Sequence, residues 1–196
     1  MEHPLRGRVE TAPVTRSEVV RFIKTAAAVL IILVVTVAVI GLFLPARYSV
    51  ERSAVIDAAP GEIHEYVGNL KKWDEWAPWT EEDPSIVVTL GEKTSGIGAS
   101  QSWVGESGTG ALTITASSPD SGIEYDLLFD GGTYECKGSM RYDRLPDGDT
   151  KVTWTMSGDM GKSLTSGYFA LLMDTMVGSM FEKGLSNLKN VVEKGS

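Results

Sequence analysis

The chain offers few groups for metal or nucleophilic chemistry: two His and one Cys in 196 residues. His64, the only His beyond the N-terminal tail, is of the type that serves as a general base. It falls in a short amphipathic stretch and reads as a surface residue. Cys136 has no second thiol to pair with. It falls on the apolar side of an alternating segment and reads as a small packing residue. Glu81-Glu82-Asp83, with Asp74 and Glu75, forms an acidic loop. It lacks the alternating carboxylates of a calcium loop and reads as a solvated face. Gly105-x-x-Gly108-x-Gly110 has the look of a phosphate cradle but opens no helix, so it reads as a hairpin. No G-x-S-x-G nucleophile elbow occurs. No catalytic residue, metal site or cofactor is therefore assigned.

The richer chemistry is apolar. Trp73, Trp76 and Trp79 are spaced three apart, and large rings near a cavity mouth suit an apolar ligand. Packing of a short helix on a sheet would use the same residues. Trp79 is the one best placed to reach a ligand. Met156, Met160, Met173, Met176 and Met180 are five of the seven methionines. Their soft, unbranched side chains fit variable shapes. Together with apolar residues on alternating segments, the ligand-contact set is Trp76, Trp79, Trp103, Tyr125, Phe129, Met140, Trp154, Met156, Met173, Met176 and Met180. Plain core packing is the competing role for each.

The elements that must position these residues follow from periodicity. Extended segments are expected at Tyr48–Ile56, Ile86–Leu90, Ser100–Val104, Ala111–Ser117, Ile123–Phe129, Thr133–Tyr142 and Thr150–Ser157. Asp130-Gly131-Gly132 and Pro146-Asp147-Gly148-Asp149 supply turns. In the later segments Ile123, Tyr125, Leu127 and Phe129 share one face. Tyr134, Cys136, Gly138, Met140 and Tyr142 share another, as do Val152, Trp154 and Met156. One covered face and one wet face describe an antiparallel meander. Pro60 suits the start of a short helix, and Leu70–Trp76 a second short helix or turn. From about Ser166 to Glu193, apolar residues recur at three- and four-residue steps, a long helix that would cover the sheet. Gly178 and Gly184 within it each cost about 1 kcal/mol relative to Ala, which close approach to the sheet, a ligand or a kink would explain.

Thr25 to Ala46 is a run of 22 uncharged residues, about 33 Å as a helix against a hydrocarbon core of about 30 Å. A signal peptide would have a shorter apolar region and a small-x-small site after it. Gly41-Leu42-Phe43-Leu44-Pro45 offers neither. The expected organisation is a flexible tail over 1–24, a transmembrane anchor over 25–46 and one domain over 47–196. Arg6, Arg8, Arg16, Arg21 and Lys24 precede the anchor, and only Arg47 and Arg52 follow closely. This bias puts the N-terminus in the cytoplasm and the domain outside, in the periplasm or at the cell exterior.

The net charge of −8 is unevenly placed. The first 46 residues hold five Lys/Arg and three Asp/Glu, leaving 13 and 23 on the domain, a net −10. That sign excludes a non-specific nucleic-acid binder and repels anionic headgroups alike. With 42% hydrophobic residues the chain is too apolar to be disordered.

Four stretches in order carry a family resemblance. Ile56-Asp57-Ala58-Ala59-Pro60-Gly61-Glu62-Ile63-His64-Glu65-Tyr66-Val67 looks like a first strand turning into a first helix. Leu70-Lys71-Lys72-Trp73-Asp74-Glu75-Trp76-Ala77-Pro78-Trp79 looks like a tryptophan-rich segment. Gly96 to Gly105 looks like a Gly/Trp strand, and Phe181 to Lys189 like a terminal helix. Together they resemble the START/Bet v 1-like (SRPBCC) superfamily, in its polyketide cyclase/dehydrase and lipid-transport group. The resemblance implies an α+β helix-grip fold: a curved antiparallel sheet of about six or seven strands, two short helices and a long C-terminal helix, here behind one transmembrane helix. It also implies an apolar cavity between sheet and C-terminal helix that holds a lipid or other apolar small molecule. The function expected is a membrane-anchored binding or carrier protein. Two alternatives stay open. A cyclase/dehydrase-like enzyme would steer acid–base chemistry with Tyr125, Tyr134 or Asp126. A protein-interaction module, as in Hsp90-activator homologues, would have a collapsed cavity and an exposed apolar patch.

Overall fold

The computed structural model describes residues 16–195. Seven strands form one antiparallel sheet: β1 (Arg47–Ile56), β2 (Val87–Leu90), β3 (Ser100–Gly105), β4 (Gly108–Ser118), β5 (Gly122–Phe129), β6 (Tyr134–Arg144) and β7 (Thr150–Asp159). Their order is β1-β7-β6-β5-β4-β3-β2. Six consecutive strands make a meander, and the first strand closes onto the last. Each strand expected from alternation is present. Turn chemistry supports the joins. Asp130, Gly131 and Gly132 all take positive φ between β5 and β6, a run that two glycines and an aspartate tolerate best.

Four helices accompany the sheet: α1 (Arg16–Phe43), α2 (Pro60–Val67), α3 (Trp79–Glu82) and α4 (Ser166–Gly195), with a 3-10 turn at Leu70–Glu75. The helix α1 is long and apolar enough to cross a membrane over Val19–Phe43. It already includes Arg16, the first described residue, so residues 16–24 belong to the helix and not to a flexible tail. Once a helix is nucleated, each added residue gains a hydrogen bond, and Val19, Val20, Phe22 and Ile23 extend the apolar run. The rest of the expected tail, 1–15, lies outside the described residues. The helix ends at Phe43, short of Ala46, because Pro45 disfavours helical backbone at Leu44.

The helix α4 lies along β1. Arg52 on β1 reaches Asp174 at 2.9 Å and Glu182 at 2.7 Å. Further along, Lys189 Nζ donates to the Val55 carbonyl at 2.8 Å, and the Asp57 backbone N–H donates to Glu193 at 3.0 Å. Both helix glycines mark close approach. A Cβ on Gly178 would overlap the Arg52 guanidinium, and one on Gly184 would lie 2.7 Å from the Trp154 ring. The helix runs unbroken through both, so the kink is not needed.

Candidate functional site

The interior is built where inward strand positions meet the tryptophan-rich segment. In a 3-10 turn, side chains three apart eclipse one another. Trp73 and Trp76 therefore project together, with ring centroids 5.1 Å apart. Trp154, from β7, contacts Trp76 at 5.4 Å and Trp79 at 5.8 Å. Its other face stacks on Phe181 of α4 at 4.1 Å. Its Nε1 donates to Tyr125 Oη at 2.7 Å, and the Tyr125 ring lies over Gly138, where a Cβ would overlap it. Burial pushes the Tyr125 hydroxyl far above its ordinary pKa, so it stays protonated and serves as the acceptor for Trp154.

This packing bears on one expectation, the apolar cavity between sheet and C-terminal helix. Trp76, Trp154 and Phe181 are all buried between the sheet and the C-terminal half of α4. Three aromatic side chains converge where two helix turns and a strand approach closely, and Gly184 lets the helix settle onto them.

Open space lies in two places, one a wide surface depression of about 400 Å³ around His64, Gly68, Asn69 and Gly96. The other, a recess of about 220 Å³, sits between the 70–82 segment and the sheet edge, lined by Leu70, Trp73, Ala77, Trp79, Val88, Leu90 and Gln101 with Lys71, Asp74 and Thr80. Val88 and Leu90 come from β2, which has no outer neighbour in the sheet, so the recess opens along a free edge. Of the expected contact set, Trp79 lines it. Trp103 and Phe129 form an edge-to-face pair at 5.6 Å on the same sheet face, with Gly110 making room for the Trp103 ring. Trp76, Tyr125, Met140, Trp154 and Met156 are buried in the interior. Met173 and Met180 are half-buried on α4, and Met176 is exposed.

Leu70, Val88, Leu90 and Gln101 were not in the expected set. Alternation carried the signal for three of them. Val88 and Leu90 are two apart on one strand, and Gln101 is two before Trp103 on the next. The register confirms the shared face, pairing Val88 with Trp103 and Leu90 with Gln101.

The acid–base groups named for an enzyme are not gathered here. Asp126 points to the outer sheet face and pairs with Lys137 at 3.3 Å, and Tyr134 is exposed. His64 differs from its surface reading. It is half-buried, with Nε2 3.0 Å from Ser117 Oγ and Nδ1 3.4 Å from Tyr142 Oη. The helix α2 turns this side toward the ends of β4 and β6, and Gly68 lies directly over the ring. Burial lowers the His64 pKa and favours the neutral ring. The acidic loop also has a structural job. Glu81 and Glu82 pair with Lys183 of α4 at 2.8 and 2.9 Å. Asp83 accepts from the backbone N–H groups of Ser85 and Ser107; the side-chain hydrogen bonds of Ser107 and Ser85, with these N–H groups, hold its carboxyl well below the usual range. Cys136 is buried as expected, with its Sγ 2.9 Å from Tyr48 Oη. Among the described residues no three His, Cys, Asp or Glu cluster as a metal site would require.

Solved structures share this architecture. The aromatase/cyclase Zhui from Streptomyces sp. R1128 is similar with a TM-score of 0.56 at 14% identity, covering 76% of this chain and 94% of its own. A protein of unknown function from Staphylococcus aureus, SA2116, has a TM-score of 0.59 at 11% identity over 76% and 95%. Protein CV1439 from Chromobacterium violaceum has 0.54 at 12% over 74% and 96%. At these identities the likeness is one of fold. No curated protein matches in sequence. A family model described as polyketide cyclase/dehydrase and lipid transport matches residues 47–193, the sheet and nearly all of α4. The chain belongs to the polyketide cyclase/dehydrase and lipid transport family.

Proposed function

We propose that the protein is a membrane-anchored binding or carrier module for an apolar small molecule or lipid. The observation that carries this reading is the recess beneath Trp73 and Trp79. It is walled by Leu70, Trp73, Ala77, Trp79, Val88 and Leu90 together with Gln101, Lys71, Asp74 and Thr80, and Val88 and Leu90 place it at the free edge of β2. It suits the lipid-transport branch of the family, and it lacks the buried acid–base pair that a cyclization would use. The helix α1 serves as a single-pass anchor with its N-terminus in the cytoplasm. Its apolar side chains are exposed along its length, as a lipid-facing helix requires. The tether keeps the recess at high local concentration beside lipid.

The test uses the full chain purified in native membrane lipid. Native mass spectrometry should show a co-purifying apolar species, and tryptophan emission should respond to a panel of fatty acids and phospholipids. Val88→Asp places a charge in the recess from an edge position and should weaken uptake about tenfold, the loss of ~1.5 kcal/mol of apolar contact. No bound species, and emission indifferent to the whole panel, would overturn the reading.

A further inference from the structure

The start of α4 lies against the anchor. Tyr168 Oη donates to the Val37 carbonyl at 2.7 Å. A Cβ on Gly41 would overlap the Leu164 carbonyl oxygen, and one on Gly167 the Leu44 side chain. Around this contact the surface is apolar. Leu164, Phe169, Leu171, Leu172 and Met176 are 50–62% exposed. At 100° per residue, Leu171, Tyr168, Leu172, Met176 and Phe169 sweep one continuous arc on the side of α4 opposite its buried face, interrupted only by Thr175. The same arc changes character beyond Met176, where it carries Ser179, Glu182, Lys183, Ser186 and Asn190. The apolar part is therefore confined to the end nearest the anchor.

We infer that the first turns of α4, with Leu164, are seated in the lipid interface of the bilayer that α1 crosses, so that the domain docks on the membrane as well as hanging from it. This rests on the reading of α1 as a transmembrane anchor. The depth follows from lengths. Val19–Phe43, 25 residues, makes about 37 Å of helix, about 7 Å more than a hydrocarbon core of about 30 Å. Val37 lies six residues before the end of the span, about 9 Å along the axis. Even with all the surplus at the domain end, Val37 reaches the hydrocarbon boundary, and Tyr168 is held there with it. A tyrosine at that level matches the aromatic belt of membrane proteins. Lys162, exposed, flanks the contact with a stem long enough to reach headgroups. The domain's net charge of −10 gives no attraction to anionic lipid, so the docking is apolar and insensitive to salt.

The test places an environment-sensitive fluorophore on the full chain in phosphatidylcholine nanodiscs, in a Cys136→Ser background. Leu172→Cys and Met176→Cys carry the label on the arc, Leu33→Cys reports the anchor, and Glu124→Cys reports the outer sheet face. Blue-shifted emission at the Leu172 and Met176 positions, quenched by phosphatidylcholine with a shallow spin label and unchanged in high salt, is the expected result. Arc positions that behave like Glu124 while Leu33 is quenched overturn the docking and leave the anchor standing. A Leu33 position quenched by neither the shallow label nor a deep one overturns both. Disulfide cross-linking between two copies through Leu172→Cys shows that a second chain covers the arc, which also overturns the inference. Ligand uptake is not read in this experiment, so its outcome is independent of whether the recess binds lipid.

Discussion

At Gly184 a missing side chain lets Trp154 lie against the helix backbone. Ala would restore about 1 kcal/mol of helix propensity. Its Cβ, however, would meet Trp154 Cζ3 at 2.7 Å and Pro78 Cδ at 3.1 Å, and overpacking a rigid aromatic layer costs about 1–3 kcal/mol. Gly184→Ala should therefore lower the urea midpoint. Gly61→Ala in α2, with nothing within 4 Å of the added carbon, should raise it. Equal signs for the two would refute this account of the helix glycine. His64 gives a second residue-scale test. Its folded pKa is lowered below the ordinary 6.5 by burial, so below that pH the unfolded chain binds the proton more readily. Stability is then full above about pH 6.5 and falls as the pH drops through the folded value. Its neighbours Ser117 and Tyr142 stay neutral in this range, since burial raises the Tyr142 pKa still further. Denaturation midpoints measured between pH 7.5 and 5 should decline, and His64→Asn should flatten that decline. An unchanged slope would show that other groups cause it.

At the scale of elements, two cations hold α4 to β1, Arg52 from the strand and Lys189 from the helix. Arg52 bridges Asp174 and Glu182, eight residues apart on the helix, with its guanidinium over Gly178. Arg52→Met keeps most of the stem and removes the charge. Hydrogen exchange should then speed up in residues 174–182 while the Leu185–Val192 stretch, anchored by buried Leu185, Leu188 and Val192, keeps its protection. Uniform loss along the whole helix would show that Arg52 supports the fold globally. The legibility of these elements varied for physical reasons. Strands β4 to β7 could be read because the sheet is wet on one side, which forces period-two alternation. The one-turn helix α3 could not, since four residues carry no period, and Glu81 and Glu82 resemble any solvated pair until Lys183 is brought beside them by the return of α4. The recess was legible only in pieces. Trp79 stood out by type, but Val88 and Leu90 are ordinary edge-strand residues whose role depends on what packs across from them. Trp154 and Tyr125 looked like ligand contacts because inward aromatic residues line a cavity or fill it by the same pattern. Only ring-to-ring geometry separates the two.

At the scale of the molecule, the proposed anchor raises the question of which side of the membrane would carry the domain. Five Lys/Arg precede the apolar run and two follow closely. Of the five, Arg16, Arg21 and Lys24 lie on α1 itself, within the distance over which basic residues set orientation. In the proposed orientation, long side chains there extend toward the cytoplasmic headgroups. Arg47 and Arg52 oppose this weakly, because both are engaged by carboxylates of the folded domain, Arg47 with Asp159 at 3.3 Å and Arg52 with Asp174 and Glu182. The proposed orientation therefore has the domain outside. In intact cells, an impermeant maleimide should label Glu124→Cys, exposed on the outer sheet face, without lysis. Labelling only after lysis would reverse the orientation. Replacing Arg16, Arg21 and Lys24 together by Gln should produce a mixed population, since the bias then falls to Arg6 and Arg8 against Arg47 and Arg52. A population that stays uniform would show that the folded acidic domain, and not the basic residues, decides the side.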